Sequence, residues 1–154
     1  MNVKLGFLFI VAIFSLGHLT AQPLSGTYTV GTSGNYPTLT AAVADLSSKG
    51  VNAPVIFKLK TGTFTEQVSI SAVSGASATN VITFEAESGN ALDVNVTFAP
   101  TSTNNHVIRF DNASFITLRN FRIEPTGPTY SRGIYAINTI NNLTFEGLRI
   151  TLPN

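Results

Sequence analysis

The chain has 154 residues, with 9 Lys+Arg against 8 Asp+Glu and no cysteine. So even a charge balance, with no basic run, excludes the clustered cations that a phosphate-backbone groove needs, and nucleic acid is not an expected partner. The missing thiols exclude disulfide bracing, thiolate metal sites and cysteine nucleophiles.

The first element in chain order is an apolar leader. Lys4 precedes the run from Leu5 to Phe14, and Leu19-Thr20-Ala21 then offers small residues for cleavage between Ala21 and Gln22. A membrane-spanning helix needs about 20 apolar residues, and this run stops at Ser15. Export with cleavage is therefore expected, and no membrane attachment afterwards. Loss of Lys4 leaves eight cations against eight acids, a net charge of zero. The expected organisation is a leader over 1–21, a strand and capping helix over 22–52, and β-structure over 53–154.

One segment carries helical periodicity. Leu39, Ala42, Val43 and Leu46 fall at i, i+3, i+4 and i+7, within a helix expected from about Thr38 to Ser48. Pro37 and Thr38 suit its start, and Gly50 suits the residue after its end. Such a short helix is marginal alone and must lie on something.

After Asn52 the chain reads as short strands at 55–59, 68–70, 81–86, 94–98, 107–110, 115–118, 121–123, 134–137, 143–145 and 148–150. Thr, Ser and Asn make up about a third of the chain after the leader, and they alternate with Val, Ile, Leu and Phe. Short strands of this kind suit a sandwich, a barrel or a solenoid. An internal repeat selects the solenoid. Thr117-Leu118-Arg119-Asn120-Phe121-Arg122-Ile123 matches Thr144-Phe145-Glu146-Gly147-Leu148-Arg149-Ile150, 27 residues on (144 − 117). Asn120 and Gly147 occupy the same place between two short strands, and both tolerate the left-handed conformation a corner requires. The frame extends back to Ile82-Thr83-Phe84-Glu85 and to Phe57-Lys58-Leu59-Lys60, at spacings of 34 (116 − 82) and 25 (82 − 57). The expected fold is all-β: a right-handed parallel β-helix of about four to five coils with a short N-terminal capping helix. Its inward columns would be Phe57–Ile82–Ile116–Leu143 and Leu59–Phe84–Leu118–Phe145. An outward ladder of alternating charge would follow Lys60–Glu85–Arg119–Glu146.

Two stretches carry a resemblance. Tyr28-Thr29-Val30-Gly31 with Gly34-Asn35-Tyr36-Pro37-Thr38-Leu39-Thr40-Ala41-Ala42-Val43 resembles the opening of pectin methylesterases and related pectin-lyase-like β-helix proteins. There a strand, a Gly-rich turn and a capping helix begin the solenoid. Val55–Ile70, with Gly62-Thr63-Phe64-Thr65-Glu66 at its centre, resembles the strand–turn–strand that follows. The resemblance covers 27–70 and implies the fold. The whole chain after the leader is similar to Thr/Asn-rich β-helix modules of long bacterial surface proteins, which implies a secreted or cell-surface location in a bacterium. In the family pattern Glu66 sits at a turn and binds backbone amides. The catalytic Asp pair, Arg and Gln of the esterases come from later motifs that have no counterpart here, and neither does the polygalacturonase-like set of paired Asp, His and Arg.

No catalytic residue, metal set or cofactor is therefore expected. His106, the one histidine after the leader, is expected as a solvated loop residue, and Asp111-Asn112 as a turn. Three N-x-S/T triplets, at Asn95, Asn112 and Asn142, fit strand and turn composition. The expected function is a structural or adhesive module, with polysaccharide or cell-surface glycans as partners. The alternatives are the N-terminal part of a pectin esterase- or lyase-like enzyme, and a carbohydrate-binding module using Tyr130 and Tyr135. Leu148–Leu152 is still strand-like, with no polar lid after it. The expectation there is a protein that continues beyond Asn154, or self-association through that end.

Overall fold

The computed structural model describes residues 21–127 and 129–153, so the leader read at 1–20 lies outside the described residues. A first strand, β1 (Leu24–Val30), leads into α1 (Leu39–Lys49), and four coils follow. The first is β2 (Val51–Leu59), β3 (Gly62–Thr65) and β4 (Val68–Ser71); the second is β5 (Ile82–Ala86), β6 (Val94–Phe98) and β7 (Ile108–Asp111). The third is β8 (Ser114–Arg119), β9 (Arg122–Pro125) and β10 (Ile134–Ile137), and the fourth is β11 (Asn141–Glu146) and β12 (Arg149–Ile150). Corresponding strands stack in parallel as three sheets, β1-β2-β5-β8-β11, β3-β6-β9-β12 and β4-β7-β10. The molecule is a parallel β-helix.

Alternation sets what faces inward. Val55, Phe57 and Leu59 of β2 are fully buried, as are Ile82 and Phe84 of β5 and Ile116 and Leu118 of β8 to within 2%. Each such side chain contributes roughly 1.5–3 kcal/mol by leaving water. Corners between the first and second sheets use the left-handed conformation where expected, at Asn120 (φ 56) and Gly147 (φ 59).

The first coil departs from the expected register. Ile82 pairs with Val55, not Phe57, while Phe57 pairs with Phe84 and Leu59 with Ala86. The spacing is thus 27 (82 − 55), not 25, and the coils repeat at 27, 34 and 27. A slip of two residues keeps every side chain on its own face, so the apolar pattern cannot choose between the two registers. Ring packing favours the observed one: Phe57 and Phe84 stack at 4.8 Å between centroids and 15° between planes, and Tyr28 stacks on Phe57 at 5.8 Å.

The helix closes one end. Leu39, Ala42, Val43 and Leu46 are its buried face, and it packs on β4, β1 and β2. The Thr38 hydroxyl accepts from the Ala41 N–H at 3.0 Å as N-cap. Gly50 (φ 66) donates its N–H to the Leu46 carbonyl at 2.9 Å. A Cβ there would meet the Ser74 carbonyl oxygen at 2.5 Å, so the turn into β2 requires glycine.

Candidate functional site

Where sheet β3-β6-β9-β12 begins, a cavity of about 300 Å³ opens between β3 and the loop joining β1 to α1. Thr63, Thr65, Lys60 and Glu66 lie on one side, and Thr32 and Thr38 on the other. Glu66 turns its carboxylate onto the helix start. Oε1 accepts the Leu39 N–H at 3.0 Å, and Oε2 accepts the Thr40 N–H at 2.7 Å and the Thr40 hydroxyl at 2.6 Å. The first amides of a helix have no internal partner, and the helix dipole favours an anion there. Glu66 therefore fixes the cap to the first coil, as the family pattern implies. Lys60 donates to the Thr32 and Ser33 carbonyls at 3.2 and 3.3 Å and ties the same loop down.

That contact removes Lys60 from the expected charge ladder. With the corrected register the ladder is Lys58–Glu85–Arg119–Glu146. Lys58 Nζ lies 2.5 Å from Glu85, Arg119 lies 3.3 Å from Glu85, and Arg119 Nε lies 2.7 Å from Glu146. Glu85 is only 9% exposed between its two cations.

His106 differs from expectation: it is 5% exposed, not solvated. The Gln67 side-chain amide donates to the His106 carbonyl at 2.7 Å and the Asn104 carbonyl at 2.9 Å, which draws the loop against β4. The ring's Nε2 then lies 3.4 Å from Ser69 Oγ, and its centroid 6.4 Å from that of Tyr135. Burial, and secondarily the Arg109 charge, hold His106 below its ordinary value of 6.5. No local signal announces this, because Gln67 is 39 positions away. Among the described residues, the Ser–His contact has no third group that would orient a catalytic base. The nearest acid in sequence, Asp111, accepts instead from Arg109 at 2.5 Å, Asn138 at 2.6 Å and Asn112 at 3.1 Å.

The other acids are similarly engaged. Asp45 binds the Tyr36 hydroxyl at 2.6 Å and Lys49 at 2.9 Å. Burial alone would push Asp45 up, but those two groups outweigh it and hold the carboxyl below its ordinary range. Burial and the facing Asp45 raise the Tyr36 phenol well above its usual value. Glu124 accepts from Asn95 at 2.8 Å and Asp93 from Asn90 at 3.1 Å. Of the eight carboxylates, Glu87 alone makes no such bond among the described residues. No three His, Asp or Glu side chains converge among those residues.

The remaining sequence candidates are scattered. Ala21 and Gln22 are exposed just before β1. Tyr135 is half-buried with the Arg132 guanidinium 4.7 Å over its ring, so that face is closed to a sugar; Tyr130 is also half-buried. Asn95 and Thr97 of the first triplet are buried, whereas Asn112 (φ 54) and Asn142 (φ 52) are exposed residues in the left-handed conformation.

Pectin methylesterase from Aspergillus niger has a similar solved structure, known in a deglycosylated and a penultimately deglycosylated form. Each form superposes with a TM-score of 0.64, at 17% and 19% identity, over 86% of this chain. The match covers 46% and 45% of the enzyme, so this chain spans a little under half of the enzyme's length. No family model matches the sequence, and no curated protein matches it. The likeness establishes the fold, a right-handed parallel β-helix.

Proposed function

We propose that this chain is a β-helix module of an exported bacterial surface or secreted protein, acting by adhesion or as structure, and doing no chemistry itself. One observation carries the reading. Hydrolysis or elimination on a polysaccharide needs paired, available carboxylates, or an acid beside a base. Here the acids, Glu87 apart, are occupied with helix amides, cations and asparagines that hold coils together. The neutral Thr/Asn-rich surface supports contact with glycans. Export by cleavage between Ala21 and Gln22 is part of the proposal, and the mass of the N-terminal peptide secreted by a bacterial host tests it.

The purified chain is to be tested on a glycan array and in esterase and reducing-sugar assays on pectin and other polysaccharides. Glycan or cell-surface binding without turnover is expected; turnover of any polysaccharide overturns the reading. A second reading, the N-terminal part of a polysaccharide-active enzyme, is favoured by one observation: the superposition on just under half of a pectin methylesterase. It requires residues outside this chain to supply the chemistry.

A further inference from the structure

The cavity beside β3 has a property that neither its shape nor its lining makes obvious. Sheet β1-β2-β5-β8-β11 starts one layer before the first coil, with β1. The helix α1 packs against β4 and covers the start of sheet β4-β7-β10. In the remaining sheet, β3-β6-β9-β12, β3 is the first strand, and its open side faces the cavity.

The backbone polarity of that side follows from the ladder. The Gly62 N–H donates to the Asp93 carbonyl at 2.8 Å, and the Glu66 N–H to the Thr97 carbonyl at 2.9 Å. Gly62, Phe64 and Glu66 thus point their backbone groups at β6. In a parallel strand the intervening residues point theirs the opposite way. The N–H and C=O of Thr63 and Thr65 therefore face the cavity, and they have no partner among the described residues. Exposed strand edges of this kind are templates for another strand.

We propose that this recess accepts one extended peptide segment carrying an acidic side chain, which pairs through its main chain with Thr63 and Thr65. The recess is a single layer deep, a step of about 4.8 Å, which is the width of one strand. A second copy stacked end-on would meet β1 and α1 first, a layer further out, and as a rigid body would not reach β3. A lone segment of chain fits where a folded domain does not. The charge preference follows from what is already used. Glu66 gives three of its roughly four lone-pair sites to the helix start, where the helix dipole offsets its charge, while Lys60 faces only neutral carbonyls and spends two of its three ammonium protons on them. The spare polar capacity at the head of β3 is thus cationic. Outward-facing Thr63 and Thr65 suit short polar side chains at alternate positions of the guest.

The test titrates the isotope-labelled chain with acetyl-Asp-Thr-Val-Thr-Val-amide and follows the Thr63 and Thr65 amides by NMR and hydrogen exchange. Shifts confined to β3 and the facing loop are expected, with slowed exchange at those two amides. The same peptide N-methylated at alternate residues lacks the pairing donors and is expected to bind about tenfold more weakly or worse. Lys60→Gln is expected to weaken the Asp peptide several-fold more than its Asn counterpart. Equal binding of the plain and N-methylated peptides overturns the proposal, as does the absence of any shift at millimolar peptide. Shifts of the same amides by xylohexaose but not by peptide would assign the recess to a glycan, and would also overturn it.

Discussion

Phe115 has φ 58, a conformation that costs a bulky L-residue roughly 1–2 kcal/mol. Its counterpart one coil on is Asn142 (φ 52), since Leu143 pairs with Ile116, and Asn is far better suited to that backbone. The Phe115 ring is only half-buried and lies outside the buried core cluster, so little packing offsets the strain. Phe115→Asn is expected to stabilise the chain by about 1 kcal/mol, read as a higher denaturant midpoint with an unchanged slope. His106 gives a second residue-scale prediction. Its folded-state affinity for a proton is depressed by burial, so the unfolded chain takes up the proton first as the pH falls. Stability is then fully present above about 6.5 and declines as the pH drops below it towards the folded value. Urea midpoints at pH 7.5 and pH 5 are expected to differ in that direction, and His106→Gln to reduce the difference. His106 was not legible in the sequence, because its burial depends on the distant amide of Gln67. That Glu66 binds backbone amides was legible through the resemblance at 55–70; that these amides open α1 was not, because Leu39 and Thr40 lie 27 and 26 positions away.

At the scale of elements, the corrected ladder separates two lysines that the sequence makes look interchangeable. Lys58 bridges to a nearly buried Glu85, whereas Lys60 reaches only loop carbonyls. Lys58→Gln leaves Arg119 as the sole cation on Glu85 and is expected to cost about 1 kcal/mol, discounted for its partial exposure. Lys60→Gln is expected to cost less, and thermal melts of the two variants side by side check the order. The helix, its cap, the strand alternation and the asparagine–glycine corner were all legible, because each rests on local periodicity or on one residue's backbone freedom. The register of β2 on β5 was not, because a shift of two conserves inside and outside. What separates the two registers is the stacking of Phe57 on Phe84 and the pairing of Lys58 with Glu85, both contacts between coils. The strand β3 was read as part of a turn for a similar reason: four residues around one inward Phe64 carry too little alternation to stand out.

At the scale of the whole molecule, the two ends differ. The helix covers one; at the other, Phe145, Ile150 and Leu152 are 47%, 49% and 55% exposed beside the unpaired edges of β11 and β12. Apolar side chains on open strand edges promote association. For this chain, sedimentation or size-exclusion profiles are expected to shift with concentration, and Ile150→Lys with Leu152→Glu to suppress the shift. A concentration-independent monomer would count against self-association through this end. The coil spacing has a consequence of a different kind. The second coil is longer than its neighbours, yet Ile82, Ile116 and Leu143 remain in one column, because the additional residues lie in loops such as 87–93 and 99–107. One coil is therefore a complete unit of inheritance. An in-frame duplication of 116–142 would lay a second Ile116 and Leu118 over the first and return the chain to Leu143 in phase. Unequal recombination in such a gene can lengthen the protein a layer at a time, and each new layer inherits a core that already fits.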